Sequence, residues 1–452
     1  MWNTISANIF SELIKKFKEK GIRYFILRNY EGLPEFNNSK DVDIIIEPGS
    51  YEKAFRLLYE ILEHFEISHC HVVRYERVRC WYGIDYIKNF SIHIDLIEGY
   101  LSKGFEMFSF ELLYQNTEEY NDFTVLYKPF DAIMLLYYKI IGAQGLKDIY
   151  VNKISSVYKT EKSLIDEILK ETLGSRCSFI VSEALQNENY PKIIENAAAI
   201  SKASKKIAFF HRPMSTIYNV CLFLIEKFYR IVWCPRKYQN FIAVEGADGT
   251  GKSTFIDGLN QAIIHYYVAD ETKCHIYHFR PTFLPNLGAV AEKANIKEQD
   301  KDFTNPHRAK PVGFFYSLIR MSYYWLDYLI GVPALLRKDV QFDKFTIYDR
   351  YIYDFLIDPK RARINLPYWL RKIFTKLVVQ PRIVFVLLTD AETIYKRKQE
   401  LTIKEINRQL GEFLKLAKSD KRFVVIDASL PPQEMVNQAI KVIIDRFTTK
   451  LN

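Results

Sequence analysis

The segment Gly246-Ala-Asp-Gly-Thr-Gly-Lys-Ser253 constrains the fold of this chain more than any other feature. It follows a short apolar run at residues 241–245 and opens a stretch with helical periodicity. Glycines allow the backbone to bend so that successive N–H groups point at phosphate oxygens, and the start of a helix adds a favourable dipole. The pattern therefore predicts a strand, a phosphate-binding loop and a helix. Lys252 would reach the β- and γ-phosphates of a nucleoside triphosphate, and the hydroxyl of Ser253 would bind Mg²⁺.

Short apolar runs alternate with helical segments along the whole second half of the chain. This alternation is typical of a parallel sheet with helices on both faces, so we predict a doubly wound α/β domain over residues 238–452. The predicted strands are residues 241–245, 274–279, 345–349, 383–388 and 423–427.

One of these strands ends in a carboxylate, which supports the same chemistry. The run at residues 345–349 ends in Asp349 and is followed by Arg350 and Tyr351. Ligands of open α/β sheets bind at the carboxyl ends of the strands, so Asp349 is predicted near the glycine-rich loop. There it would hold Mg²⁺ or its waters, and Arg350 would be available to a phosphate.

These motifs resemble those of the thymidylate kinase family. The form Glu-Gly-x-Asp-Gly-x-Gly-Lys-Ser-Thr is matched at residues 245–254, and Asp-Arg-Tyr is present at residues 349–351. Weaker similarity is found at residues 280–282 (Arg-Pro-Thr) and 333–335 (Pro-Ala-Leu). A basic segment at residues 395–408 stands where the family has its lid.

The resemblance implies a kinase that uses ATP and Mg²⁺, and it assigns roles to individual residues. Asp248 would face the hydroxyl of the acceptor. The other implied catalytic residues are Lys252, Asp349 and Arg350, and the implied acceptor-binding residues are Arg280, Arg350 and Tyr351. The implied nucleotide-binding residues are Gly246, Gly249, Gly251, Lys252, Ser253, Thr254 and, in the lid, Arg397 and Arg408. As an alternative to the lid, residues 396–398 form only a solvated helix face.

The acceptor side departs from this family. Tyr323 stands where the family has a nucleobase-contacting arginine, and residues 281–310 replace a short segment. Where the family usually has a serine after Asp-Arg-Tyr, this chain continues to Asp358-Pro-Lys-Arg361. That run is more similar to thymidylate kinase-like proteins of bacterial surface-polysaccharide clusters. The expected acceptor is a small molecule, either a nucleoside monophosphate or a sugar-related compound.

Paired carboxylates mark residues 1–128, which have a mixed α+β pattern. Asp41 and Asp43 stand two residues apart at a strand start, so they share one face, and Asp95 lies on another alternating strand. The region resembles the nucleotidyltransferase superfamily, with these three acids as Mg²⁺ ligands. Residues 129–237 would then be its helical appendage.

The Gly-Ser that this superfamily has before its acid pair is replaced here by Leu27-Arg28-Asn29. The resemblance therefore implies altered or lost transfer activity, and the alternative is a pair of strands with solvated acids. His93 shares a face with Asp95 and is interpreted as a structural neighbour. The predicted elements are a helix at residues 5–20, strands at 24–28, 42–47, 91–98 and 123–127, and helices from residue 50, at 130–141 and at 193–208.

The composition limits the class of protein. Hydrophobic residues make up 48% and charged residues 26%, which is a globular composition and not the low-hydrophobicity composition of a disordered chain. The net charge of +9 is spread along the chain, which fits a protein that handles phosphates and argues against nucleic acid. No uninterrupted apolar stretch reaches the ~20 residues of a spanning helix, and no signal peptide is evident, so we expect a cytoplasmic protein. An interfacial membrane face at residues 215–233 is a minority option.

Two other functions are compatible with these motifs. A nucleotide-gated scaffold would bind ATP with negligible turnover and present the N-terminal fold to a partner. Alternatively, the N-terminal acids would be the main catalyst and the kinase domain an accessory. The family resemblance also allows a homodimer.

Overall fold

The computed structural model describes residues 2–37, 39, 41–73, 77–141, 148–232, 240–268, 274–285, 312–341 and 344–447. Within these residues the chain divides into two compact units, one up to residue 227 and the other from 228 to 447. The sequence also predicts a connector at residues 233–240, of which residues 233–239 lie outside the described residues. Residues 286–310 of the insertion predicted at residues 281–310 lie outside them as well.

The first unit is built on a mixed seven-stranded sheet. Its strands are β1 (Tyr24–Ile26), β2 (Val42–Ile46), β3 (Ser68–Val73), β4 (Val78–Asp85), β5 (Phe90–Glu98), β6 (Thr117–Tyr120) and β7 (Phe123–Leu126). Their order is β3-β4-β5-β2-β1-β7-β6. The β1–β7 and β2–β5 pairs are parallel and the others antiparallel.

The helices described before residue 233 are α1 (Thr4–Glu19), α2 (Tyr51–His64), α3 (Phe110–Gln115), α4 (Lys128–Ile141), α5 (Asp148–Thr160), α6 (Lys162–Gln186), α7 (Tyr190–Glu195), α8 (Ala197–His211) and α9 (Pro213–Val232). Helices α1–α8 contribute to the cores on the two faces of the sheet, and α9 extends past residue 227. Because side chains alternate along a strand, Phe25 and Ile45 belong to the core that includes α4–α8, whereas Ile44 and Ile46 pack with α1 and α2. Residues 1–128 and helices α4–α8, which we predicted as separate regions, therefore share a core.

The helical region differs from its prediction at one point. The single helix expected at residues 193–208 is interrupted at Asn196, which has φ −94° and ψ 5° between α7 and α8. No helix in the described part of the chain is both long and apolar enough to cross a bilayer.

The second unit is built on a five-stranded parallel sheet, which confirms the predicted α/β class. Its strands are β8 (Phe241–Glu245), β9 (Cys274–His278), β10 (Phe345–Asp349), β11 (Ile383–Leu388) and β12 (Phe423–Asp427). Its helices are α10 (Lys252–Ile263), which continues as a π-helical turn (Ile264–Val268), α11 (Phe314–Gln341), α12 (Asp354–Ile357), α13 (Tyr368–Lys376), α14 (Ala391–Arg397), α15 (Ile403–Ser419) and α16 (Pro432–Phe447).

The strand order β12-β11-β8-β10-β9 places the site. Every residue of β8 is buried, as expected for the central strand of a sheet covered on both faces. The register pairs Asp349 at the end of β10 with Val244 in β8. Because the two strands run parallel, Asp349 lies at the edge of the sheet where the glycine-rich loop begins.

Candidate functional site

The glycine-rich loop joins β8 to α10 and uses backbone conformations that suit glycine. Gly246, Gly249 and Gly251 have φ values of 153°, 94° and 86°. A Cβ atom on Gly249 would lie 3.0 Å from the carbonyl oxygen of Ile394 and 3.2 Å from Cβ of Lys398. A side chain at this position would therefore be strained by the positive φ and would press against the segment after β11.

Lys252, the first residue of α10, is buried beneath this loop. Its Nζ donates hydrogen bonds to the carbonyl oxygens of Gly246 at 2.9 Å and Ala247 at 3.0 Å. Burial, together with the nearby charge of Arg350, lowers the pKa of the Lys252 ammonium to about 8. The next two residues, Ser253 and Thr254, are exposed.

Asp248, inside the loop, accepts hydrogen bonds from two arginines that lie 102 and 113 residues later in the sequence. Arg350 donates to its Oδ1 at 2.5 Å, and Arg361 donates to its Oδ2 at 2.7 Å. Burial favours the neutral acid, but the charges of Arg350, Lys252 and Arg361 outweigh it and hold the pKa of Asp248 well below its usual range. The loop thus presents an ionised carboxylate between two guanidinium groups.

Arg350 is itself fixed by a second carboxylate. Its Nη1 donates to Oδ2 of the buried Asp354 at 2.9 Å, and its backbone N–H donates to Val244 at 2.9 Å. Glu245 accepts the backbone N–H of Tyr351 at 2.8 Å, and burial together with Asp354 raises its pKa well above the usual value. These contacts hold the Arg350 guanidinium against the loop.

Asp349 has one oxygen engaged and one without a partner. Its Oδ2 lies 2.8 Å from Nδ1 of His278, whereas its Oδ1 is buried without a hydrogen-bond partner among the described residues. Burial raises the pKa of Asp349, but the His278 hydrogen bond and the Lys252 charge outweigh it, so the pKa is lowered. A buried, ionised oxygen near the hydroxyl-bearing start of α10 is a hard ligand set that fits Mg²⁺, with Ser253 as the second protein ligand.

Arg280, which the resemblance assigns to acceptor binding, lines the same region. Its guanidinium carbon is 5.0 Å from the ring centroid of Tyr324, and Nη2 donates to Leu284 at 3.2 Å. Its Nε is 3.5 Å from the buried Asp327, while Nη1 is buried without a hydrogen-bond partner among the described residues. These contacts hold the side chain in place, and Nη1 is the buried guanidinium nitrogen that has no hydrogen-bond partner among the described residues.

A cavity of about 850 Å³ joins these groups. Five cationic side chains and three carboxylates line it, so its surface favours anionic ligands. The predicted site residues that line it are Asp248, Gly249, Gly251, Lys252, Ser253, Thr254, Arg280, Asp349 and Arg350. The residues that we had not assigned to a site are His278, Phe279, Thr282, Leu284, Pro285, Asp354, Arg361 and Lys398.

Four predicted site residues of the second unit are not among the lining residues. Gly246 lies at the start of the loop, where its carbonyl oxygen accepts from Lys252. Tyr351 is fully buried and its hydroxyl donates to the carbonyl oxygen of Val379 at 2.6 Å, so it supports the core rather than an acceptor. Arg408 donates to the carbonyl oxygen of Ile357 at 2.7 Å and pairs with Glu405. Arg397 is the last residue of α14, and the following Lys398 reaches the cavity instead.

The first unit contains the predicted acid cluster. Asp43 and Asp95 are direct register partners on β2 and β5, and one oxygen from each of Asp41, Asp43 and Asp95 lies within 4.8 Å of the others. Arg28 donates to Asp43 at 2.8 Å, and Nε2 of His93 is 2.7 Å from Oδ1 of Asp95. Burial raises the pKa of Asp43 to about 6, because Arg28 only partly offsets burial and the neighbouring carboxylates.

Comparison with known proteins finds similarity to thymidylate kinases over less than half of the chain. No protein-family model matches the chain. The "Probable thymidylate kinase" of Methanosarcina barkeri (strain Fusaro / DSM 804) is 24% identical over 218 residues, which cover 45% of this chain and 95% of that protein. The crystal structure of thymidylate kinase from Ehrlichia chaffeensis matches with 19% identity and a TM-score of 0.31, covering 45% of this chain and 97% of that one. About 45% of the chain is thus similar in sequence to a thymidylate kinase.

Proposed function

We propose that the second unit is an ATP-dependent kinase that transfers a phosphoryl group to a small acceptor, either a nucleoside monophosphate or a sugar-related compound. The observation that carries this proposal is the carboxylate of Asp248, which Arg350 and Arg361 hold in a cavity also lined by Lys252. The similarity to a probable thymidylate kinase supports a kinase over other nucleotide-binding proteins.

The donor side follows from the loop. The backbone N–H groups at the start of α10 and the ammonium of Lys252 would bind the donor phosphates. Lys252 donates to two loop carbonyls, and on binding ATP it would exchange them for phosphate oxygens. Its side chain is oriented into the loop where the phosphates would lie.

The metal would be held by Ser253 and Asp349, whose unpartnered Oδ1 supplies the carboxylate ligand. When bound, Mg²⁺ neutralises negative charge on the phosphates. His278 holds the other oxygen of Asp349 and so orients the carboxylate.

The acceptor side is defined by its charge. Asp248 would accept a hydrogen bond from the hydroxyl of the acceptor, and it would keep Arg350 and Arg361 directed at the reacting groups. Arg280 also lines the cavity and would bind the acceptor. Because positioning and charge neutralisation supply most of the catalysis of phosphoryl transfer, charged groups around one cavity support this reaction class.

The proposal is tested by measuring ADP release from ATP with panels of nucleoside monophosphates and sugar phosphates. We expect one panel to stimulate release, and Lys252→Ala to abolish the stimulation. ATP binding without stimulated release by any compound would favour the scaffold function instead.

We infer that the first unit is a nucleotidyltransferase-like module with reduced activity. The three carboxylates have the hard oxygen atoms and the spacing that fit Mg²⁺, but the guanidinium of Arg28 already pairs with Asp43. Comparing Asp41→Asn with Lys252→Ala separates the two units. Each variant should affect a different half-reaction, and loss of both by either variant would contradict two independent sites.

A further inference from the structure

Helix α9 buries polar side chains and exposes apolar ones, the reverse of a usual surface helix. Its polar residues Thr216 and Asn219 are buried. Among the described side chains of α9, seven apolar ones have exposed fractions between 50% and 79%, namely Met214, Ile217, Tyr218, Leu224, Ile225, Phe228 and Tyr229. We call the following six residues the α9 face: Met214, Ile217, Tyr218, Cys221, Leu224 and Ile225. A surface helix ordinarily buries its apolar stripe, and a contiguous exposed apolar face is typical of an interaction site.

The shape of the α9 face indicates a broad partner. At 3.6 residues per turn, its six side chains fall within an arc of about 120° that contains no charged residue. Pairing with a single helix uses a narrower stripe with charged residues on its flanks. A wide apolar arc with a tyrosine at its edge is typical of a helix that lies in a membrane interface.

The charge of the sequence around the α9 face indicates the charge of its partner. Residues 196–225, which include α8 and most of α9, contain no aspartate or glutamate. They contain four cations, namely Lys202, Lys205, Lys206 and Arg212. Cations next to an interfacial helix favour anionic lipid headgroups and disfavour a neutral or basic partner.

We propose that the α9 face binds the surface of a bilayer that contains anionic phospholipids. Helix α9 would lie in the plane of the interface with its apolar residues among the acyl chains and the lysines of α8 near the headgroups. This inference does not depend on the proposed kinase activity, because none of these residues lines the cavity of the second unit.

Flotation of the full chain with vesicles tests the inference. One set of vesicles is phosphatidylcholine alone, and the other contains about 30% phosphatidylglycerol. We expect the protein to float with the second set and to be released by salt. Leu224→Glu and Ile217→Glu should each weaken partitioning at least about tenfold, because each removes a large apolar side chain from the interface. Lys202→Glu with Lys206→Glu should reduce binding to the anionic vesicles.

Phe179→Glu is the matched control, since Phe179 is an exposed apolar residue on α6 outside the α9 face. It should leave flotation unchanged. The inference is overturned if the wild-type chain floats with neither set, or if the α9 variants float as well as Phe179→Glu does. It is also overturned if the chain is a dimer in solution that Leu224→Glu dissociates, because a second copy would then cover the face.

Discussion

The affinity for ATP should depend on pH through Lys252. Burial lowers the pKa of this ammonium to about 8, so the protein without nucleotide loses the charge as pH rises through that value. The lowered pKa values of Asp248 and Asp349 and the raised pKa of Arg350 mean that these neighbours keep their charges across the same range. Bound phosphates would keep Lys252 protonated, so binding above pH 8 requires uptake of a proton.

The size of the effect follows from this linkage. The apparent dissociation constant should increase by about tenfold, or about 1.4 kcal/mol, between roughly pH 7 and pH 9. Calorimetric titration with ATP at saturating Mg²⁺ measures it, and buffers of different ionisation enthalpy report the proton uptake. Lys252→Arg is the matched control, because arginine stays charged at these pH values and should remove the slope. An equal affinity at both pH values in the wild type, or the same slope in Lys252→Arg, would refute the reasoning.

Three further variants test the site. Asp349→Asn should lower the Mg²⁺-dependent turnover about a hundredfold or more and weaken Mn²⁺ binding, and an unchanged metal affinity would contradict its role. Arg361→Ala should lower kcat/KM for the acceptor about tenfold, since Asp248 loses a charged donor, and the Kd for ATP should stay the same. Gly249→Ala should destabilise the second unit by about 1–2 kcal/mol and weaken ATP binding, whereas Gly411→Ala, on an open helix position, should do neither.

Local sequence patterns were sufficient to predict the strands of the second unit. Four of its five predicted strands have the bounds that the structure shows, and the fifth ends one residue earlier, at His278. These runs are short, apolar and bounded by polar residues, so neighbouring residues alone define them. The placement of Asp349 beside the loop also followed from a general property of parallel sheets.

Contacts between distant parts of the chain could not be predicted in this way. Arg361 meets Asp248 across 113 residues, and His278 meets Asp349 across 71. Tyr351 follows two site residues in the sequence, but it turns into the core. In the segment predicted as the lid, α14 ends at Arg397, and Lys398 has extended backbone and lines the cavity. The residue at which a helix ends depends on its packing, so the sequence did not show which of the two side chains would reach the cavity.

In the first unit, too, contacts between distant residues could not be predicted from the sequence. The spacing of Asp41 and Asp43 and the alternation around Asp95 predicted three acids close together, but not that Arg28 would pair with one of them. Similarly, the apolar arc of α9 is visible in the sequence, whereas the burial of its polar side is decided by tertiary packing.

Transfer of a radiolabelled γ-phosphoryl group from ATP tests the central claim most directly, because it separates a kinase from an ATPase. With the acceptor that stimulates ADP release, we predict that the label appears on the acceptor and that Lys252→Ala and Asp349→Asn abolish its transfer. Label found only in ATP or in inorganic phosphate, with every acceptor of both panels, would contradict the assignment of a phosphoryl transferase.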